Sequence, residues 1–117
     1  MKLIKTLAAL SLALPVLAFA QSTMPRVDQR QANQAQRIEQ GEASGSLTVR
    51  EANRLERGQQ HVSNMESRAT ADGVVTKREQ VRLHEAQATQ SRHIYREKHD
   101  RQHDFNHNGR VDRPRRR

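Results

Sequence analysis

Apolar residues are distributed along this chain in two regimes. Residues 3–20 are almost continuously apolar, with the densest run from Leu7 to Phe19. Beyond Gln21 the apolar positions thin out and recur at helical spacing among Gln, Arg, Glu and Ala. Val27, Ala35 and Ile38 mark one face. Ala52, Leu55, Gln59, Val62, Met65 and Ala69 mark a second, close to heptad spacing, and Leu83, Gln87, Gln90 and Ile94, with Tyr95 beside them, a third. Gln stands at seam positions where a globular core would carry Leu. No segment alternates as a strand would. The pattern predicts an all-α fold of about three helices, near 26–40, 49–70 and 77–103, forming an extended helical hairpin or small bundle.

The joints between these helices carry their own signals. Ser44-Gly45-Ser46-Leu47-Thr48-Val49-Arg50-Glu51 aligns with Asp72-Gly73-Val74-Val75-Thr76-Lys77-Arg78-Glu79, and the match continues through Arg54-Leu55 and Arg82-Leu83. The chain therefore repeats one turn-plus-helix unit, at 44–70 and 72–98. Gly45 and Gly73 suit the left-handed residue that closes a helix. Thr48 with Glu51, and Thr76 with Glu79, form capping boxes, in which the Thr hydroxyl accepts from the N3 amide and the Glu reaches back to the cap amide. Leu47 can staple onto Ala52; in the second copy Val75 meets Gln80, a weaker pair.

Composition sharpens the division. The first 20 residues hold 15 apolar side chains, whereas residues 21–117 hold 24, of which eight are Ala. Lys2 and Lys5 precede the apolar run and Ala18-Phe19-Ala20 follows it, the pattern of a secretory signal cleaved before Gln21. An uncleaved anchor is the alternative; Pro15 and the small residues at the boundary favour cleavage. Residues 21–25 form a polar lead-in, 26–103 the helical domain, and 104–117 a polar loop with a basic tail. The expected location is the periplasm or the exterior.

Charge is local rather than global. The formal +8 falls to +6 without Lys2 and Lys5, and residues 110–117 contribute five Arg against Asp112, which leaves +2 on residues 21–109. Nucleic acid is not the expected partner of an exported chain with only Tyr95 and Phe105 for stacking after residue 20. Arg110, Arg113, Arg115, Arg116 and Arg117 suit an anionic envelope polymer or lipid surface; a solvated, solubilising tail is the plainer account of the same residues. The thin apolar faces point to a homodimer or a protein partner, against a solitary dynamic hairpin. With zero Cys there is no disulfide scaffold and no thiol site. Nucleophile elbow, P-loop and Rossmann fingerprint are missing, so the expectation is a protein that is not an enzyme.

Two stretches could hold metal. Asp104, Asn106 and Asn108 stand at positions 1, 3 and 5 of an EF-hand-like calcium loop, with Gly109 at 6, Val111 at 8 and Asp112 at 9. Position 12 is Arg115 instead of Glu. A polar turn after a helix explains the same residues. The repeated turns echo the second half of such a loop, yet their first positions would be Arg68 and Thr70, or Gln40 and Glu42, so they are caps. His99, His103 and His107 recur every four residues and could offer imidazoles to zinc, copper or nickel if helix three persists; a His-rich helix end near the C-terminal dipole is the plain alternative.

The SGxLTxxE and ADGxVTxxE turns, the opening from Arg30 to Ile38 and the close from Ser91 to Gly109 resemble a group of small exported proteobacterial proteins of unknown function. Leu47-Thr48-Val49-Arg50-Glu51 and Val75-Thr76-Lys77-Arg78-Glu79 also resemble, more loosely, the LTxxQ motifs of Spy/CpxP-type periplasmic stress proteins, with Glu for Gln. That resemblance implies a helical hairpin acting on other proteins in envelope stress.

Overall fold

The computed structural model describes residues 24–113. They form three helices, α1 (Pro25–Ser44), α2 (Val49–Thr70) and α3 (Lys77–Lys98), with no strand among the described residues. The signal segment, most of the lead-in, and Arg115, Arg116 and Arg117 lie outside them.

Caps set the starts of α2 and α3. Glu51 N donates to Thr48 Oγ1 at 3.4 Å while Thr48 N donates to Glu51 Oε2 at 2.9 Å; the equivalent distances at Thr76 and Glu79 are 3.2 and 2.8 Å. Pro25 opens α1, where its missing N–H is no loss. Gly45 closes α1 at φ 74. Gly73 also takes positive φ, 79, two residues beyond the Ala71 cap of α2.

Two ends differ from expectation. α1 runs to Ser44 instead of stopping near 40, because Gly41 is carried inside the helix. A side chain there would collide with Leu47, which packs against the bare backbone. α3 stops at Lys98, five residues short of 103: His99 caps it, and Asp100 Oδ1 accepts from Gln102 N in a local turn that competes with further helix.

Side-chain bonds between helices give the topology. Arg30 meets His84, Gln34 meets Gln87 and Arg37 meets Ser91, a nearly constant offset of 53 to 54 residues, so α1 and α3 run parallel. Arg54 meets Glu97 and Gln90 reaches Leu55, so α2 runs antiparallel to α3. Gln59 reaches Gln31, so α2 packs on α1 as well. The result is a small up-down-up bundle in which every pair of helices touches.

Its apolar centre is short: Ile38, Leu47, Ala52, Leu55 and Ile94 form one buried cluster, with Val27, Val62, Ala69 and Leu83 extending it. Gln fills the seam between. Gln34 Nε2 donates to the Gln87 carbonyl at 2.8 Å, Gln87 Nε2 to the Val27 carbonyl at 2.9 Å, and Gln90 Nε2 to the Leu55 carbonyl at 2.7 Å. Each carbonyl has a second lone pair, so these bonds add to the helical ones. A buried amide that fits only one partner helix position fixes register at some cost in stability. The phase of α1 is one residue from expectation in this stretch: Gln34 is buried and Ala35 is exposed. Tyr95 is exposed too, at 61%.

Gly58 belongs to this seam. A Cβ there would lie 2.8 Å from Gln90 Cδ, and that amide is held by its bond to Leu55. Gly58→Ala gains about 1 kcal/mol of helix propensity. Displacing Gln90 loses its hydrogen bond and leaves a buried amide unpaired, about 1–3 kcal/mol plus the bond itself. The substitution is therefore expected to destabilise by about 1–2 kcal/mol, measurable by urea denaturation; a gain in stability would contradict this packing.

Candidate functional site

The chain after α3 folds back onto the first turn. Asp104 N donates to the Gly45 carbonyl at 2.9 Å, and Asp104 is 2% exposed. From this anchor the loop curls around its own side chains. Asp104 Oδ1 accepts from Asn108 N at 2.9 Å and Oδ2 from Gly109 N at 2.8 Å. Asn106 Oδ1 accepts from Asn108 N at 3.1 Å, and Asn108 Oδ1 from Arg110 N at 2.8 Å. Asp112 closes the ring: Oδ2 accepts from Phe105 N and Oδ1 from Asn106 Nδ2, each at 2.7 Å, while Asp112 N donates to the His103 carbonyl at 2.7 Å. His107 and Gly109 take left-handed conformations, φ 54 and 77, which His and Gly tolerate better than most residues.

The residues at loop positions 1, 3, 5 and 9 thus bond to one another or to the amides between them. Their oxygens retain lone pairs beyond those amide bonds, so accepting N–H does not prevent them from ligating a cation. The donor set is hard oxygen, suited to calcium or magnesium and ill suited to copper.

The three imidazoles do not converge. His99 lies at the cap of α3, its Nδ1 2.7 Å from the Tyr95 carbonyl and its ring stacked on Tyr95. His103 stacks on Phe105, and its buried Nδ1 has no protein partner. His107 sits exposed in the loop. Among the described residues, no imidazole joins a group of three ligand atoms close enough to share an ion. Helix α3 ends before the spacing of four can act, which removes the shared face expected for His99 and His103. Arg110 and Arg113 are exposed beside the loop.

Sequence reasoning missed a second convergence. Carboxylate oxygens of Glu51, Glu97 and Asp100 lie within 4.8 Å of one another. Glu51 is 2% exposed, and burial raises its carboxyl above the ordinary range; hydrogen bonds from Thr48 pull it down, and nearby Asp100 pushes it up. Arg54 Nη1 approaches Glu97 Oε1 at 3.3 Å. Because the folded state holds the Glu51 proton more tightly than the unfolded chain, the resulting stability is fully present below the ordinary carboxylate value. It is lost as pH rises through the raised one. Glu51→Gln keeps the capping box and is expected to flatten this part of the pH profile in metal-free buffer. Denaturation midpoints of both proteins from acid to neutral pH check it; parallel profiles would contradict it.

Among the described residues no helix is long and apolar enough to cross a membrane. The chain matches no protein-family model, no curated protein and no solved structure.

Proposed function

We propose that this is an exported, non-enzymatic helical binding protein and that its ligand is calcium, taken by residues 104–112. The observation that carries the reading is the buried Asp104 carboxylate, gripped by the amides of Asn108 and Gly109 while Asn106, Asn108 and Asp112 close around the same loop. A merely polar turn has no need of a buried carboxylate at its first position. Asp104, Asn106, Asn108, the Arg110 carbonyl and Asp112 are the groups that would hold the ion. Arg115 in place of the bidentate Glu implies a weak site, with Kd on the order of 10⁻⁴–10⁻³ M, the range of extracellular modules. Export to a calcium-containing compartment is consistent with that range.

Because the loop is tied to Gly45, calcium would also fasten the chain end to the α1–α2 turn. Calorimetry with calcium chloride is expected to show one weak, saturable site that disappears in the Asn106→Ala, Asn108→Ala double variant. Equal heats from both proteins would remove the loop as the site.

A stress-protein role of the client-binding kind draws less support. Among the described residues the exposed large apolar side chains, Val49, Val74, Val81, Tyr95, Phe105 and Val111, are spread over both ends of the bundle, whereas client capture favours a contiguous apolar face.

A further inference from the structure

The two capping boxes are equal in sequence and unequal in setting. Glu79 is partly exposed and faces solvent at the α2–α3 turn. Glu51 is 2% exposed and lies against the end of α3, where Glu97 and Asp100 bring two further carboxylates to within 4.8 Å. Capping uses only half of the Glu51 carboxylate. Oε2 accepts from Thr48 N at 2.9 Å and Thr48 Oγ1 at 2.8 Å, while the buried Oε1 has no hydrogen-bond partner. A buried carboxylate oxygen without a partner is costly, and two neighbouring carboxylates make it costlier.

We propose that Glu51, Glu97 and Asp100 form a second cation site, for a hard divalent ion such as manganese, magnesium or calcium, between the start of α2 and the end of α3. Three oxygens within 4.8 Å of one another can share one ion of calcium's size, since two ligands on opposite sides of a cation with ~2.4 Å bonds are about 4.8 Å apart; smaller ions draw them closer. An all-carboxylate set suits hard ions such as manganese, magnesium and calcium. The charges agree: three carboxylates against the Arg54 guanidinium leave room for two positive charges. The last carbonyls of α3 add partial negative charge, opposing the unfavourable positive end of α2 beneath Glu51. This site is separate from the loop at 104–112 and does not depend on it.

Electron paramagnetic resonance of free manganese tests it in the Asn106→Ala, Asn108→Ala background, which disables the loop and leaves the carboxylates untouched. One equivalent of manganese is expected to bind. Binding is expected to be lost in both Glu51→Gln, which retains the capping box, and Asp100→Asn, while Glu79→Gln, the same change in the other copy, leaves it intact. Circular dichroism confirms that each variant is folded. If no manganese binds, or if Glu51→Gln and Asp100→Asn bind it as before, the site does not exist.

Discussion

Gly45→Ala is expected to destabilise the protein by about 2–4 kcal/mol, whereas Gly73→Ala costs about 1–2 kcal/mol. Both glycines hold positive φ in copies of one motif, so the conformational penalty is shared. What differs is space. A Cβ on Gly73 would meet nothing within 4 Å, but on Gly45 it would lie 2.5 Å from the Asp104 carbonyl oxygen and 2.6 Å from Phe105 Cα. Those are backbone atoms of the docked loop and cannot swing aside. The loop must leave, taking with it the Asp104–Gly45 hydrogen bond. Thermal unfolding followed by circular dichroism compares the two variants directly, and calcium affinity is expected to fall only in Gly45→Ala. Equal losses would show that the loop is not seated on this turn.

Ile94→Ala carries the other large effect, about 2–5 kcal/mol. Ile94 is fully buried at the centre of the cluster with Ile38, Leu47, Ala52 and Leu55, where all three helices and the first turn meet. Few other apolar residues can move in to fill the cavity, since the neighbouring seam layers are Gln87 and Gln90 held by their own hydrogen bonds. A domain of this size has little stability to spare, so the variant is expected to be largely unfolded at moderate urea. Tyr95→Ala, one residue along on the exposed side, is expected to change stability by no more than about 0.5 kcal/mol. Urea titrations of the two variants are the check; similar midpoints would mean that α3 packs through a different face.

Helix starts were legible because their signals are local. A Thr hydroxyl and a Glu three residues later determine the first turn of α2 and of α3 without reference to the rest of the chain. Helix ends were not, because they depend on contacts. Gly41 looks like a terminator in sequence, yet it is kept helical by the close approach of Leu47. The end of α3 has no Gly or Pro to mark it, and the competing Asp100 turn decides it. Heptad spacing located the seams of α2 and α3, including the unusual Gln positions, but left α1 one residue out of phase around Gln34.

The candidate sites divide along the same line. Residues 104–112 are contiguous, so their pattern was visible, though not the burial of Asp104 against Gly45. The histidine spacing required helix three to persist, and α3 stops at Lys98. Glu97 and Asp100 are neighbours at the end of α3, but Glu51 lies more than 40 residues earlier, and no sequence spacing could have joined it to them. Glu51 was legible as a cap; its carboxylate neighbours depend on which of the two similar turns the end of α3 reaches.

The most direct test of the calcium reading is a heteronuclear NMR titration of the protein with calcium chloride, following the amides of Asn108, Gly109 and Arg110. Each of these N–H groups donates to a side-chain oxygen of Asp104, Asn106 or Asn108, so a cation on those oxygens must change their polarisation. The expected result is a concerted shift of these three amides, saturating together, with smaller changes at Gly45 across the docking bond. If calcium leaves the three amides unmoved, the loop does not bind it and the proposed function is wrong.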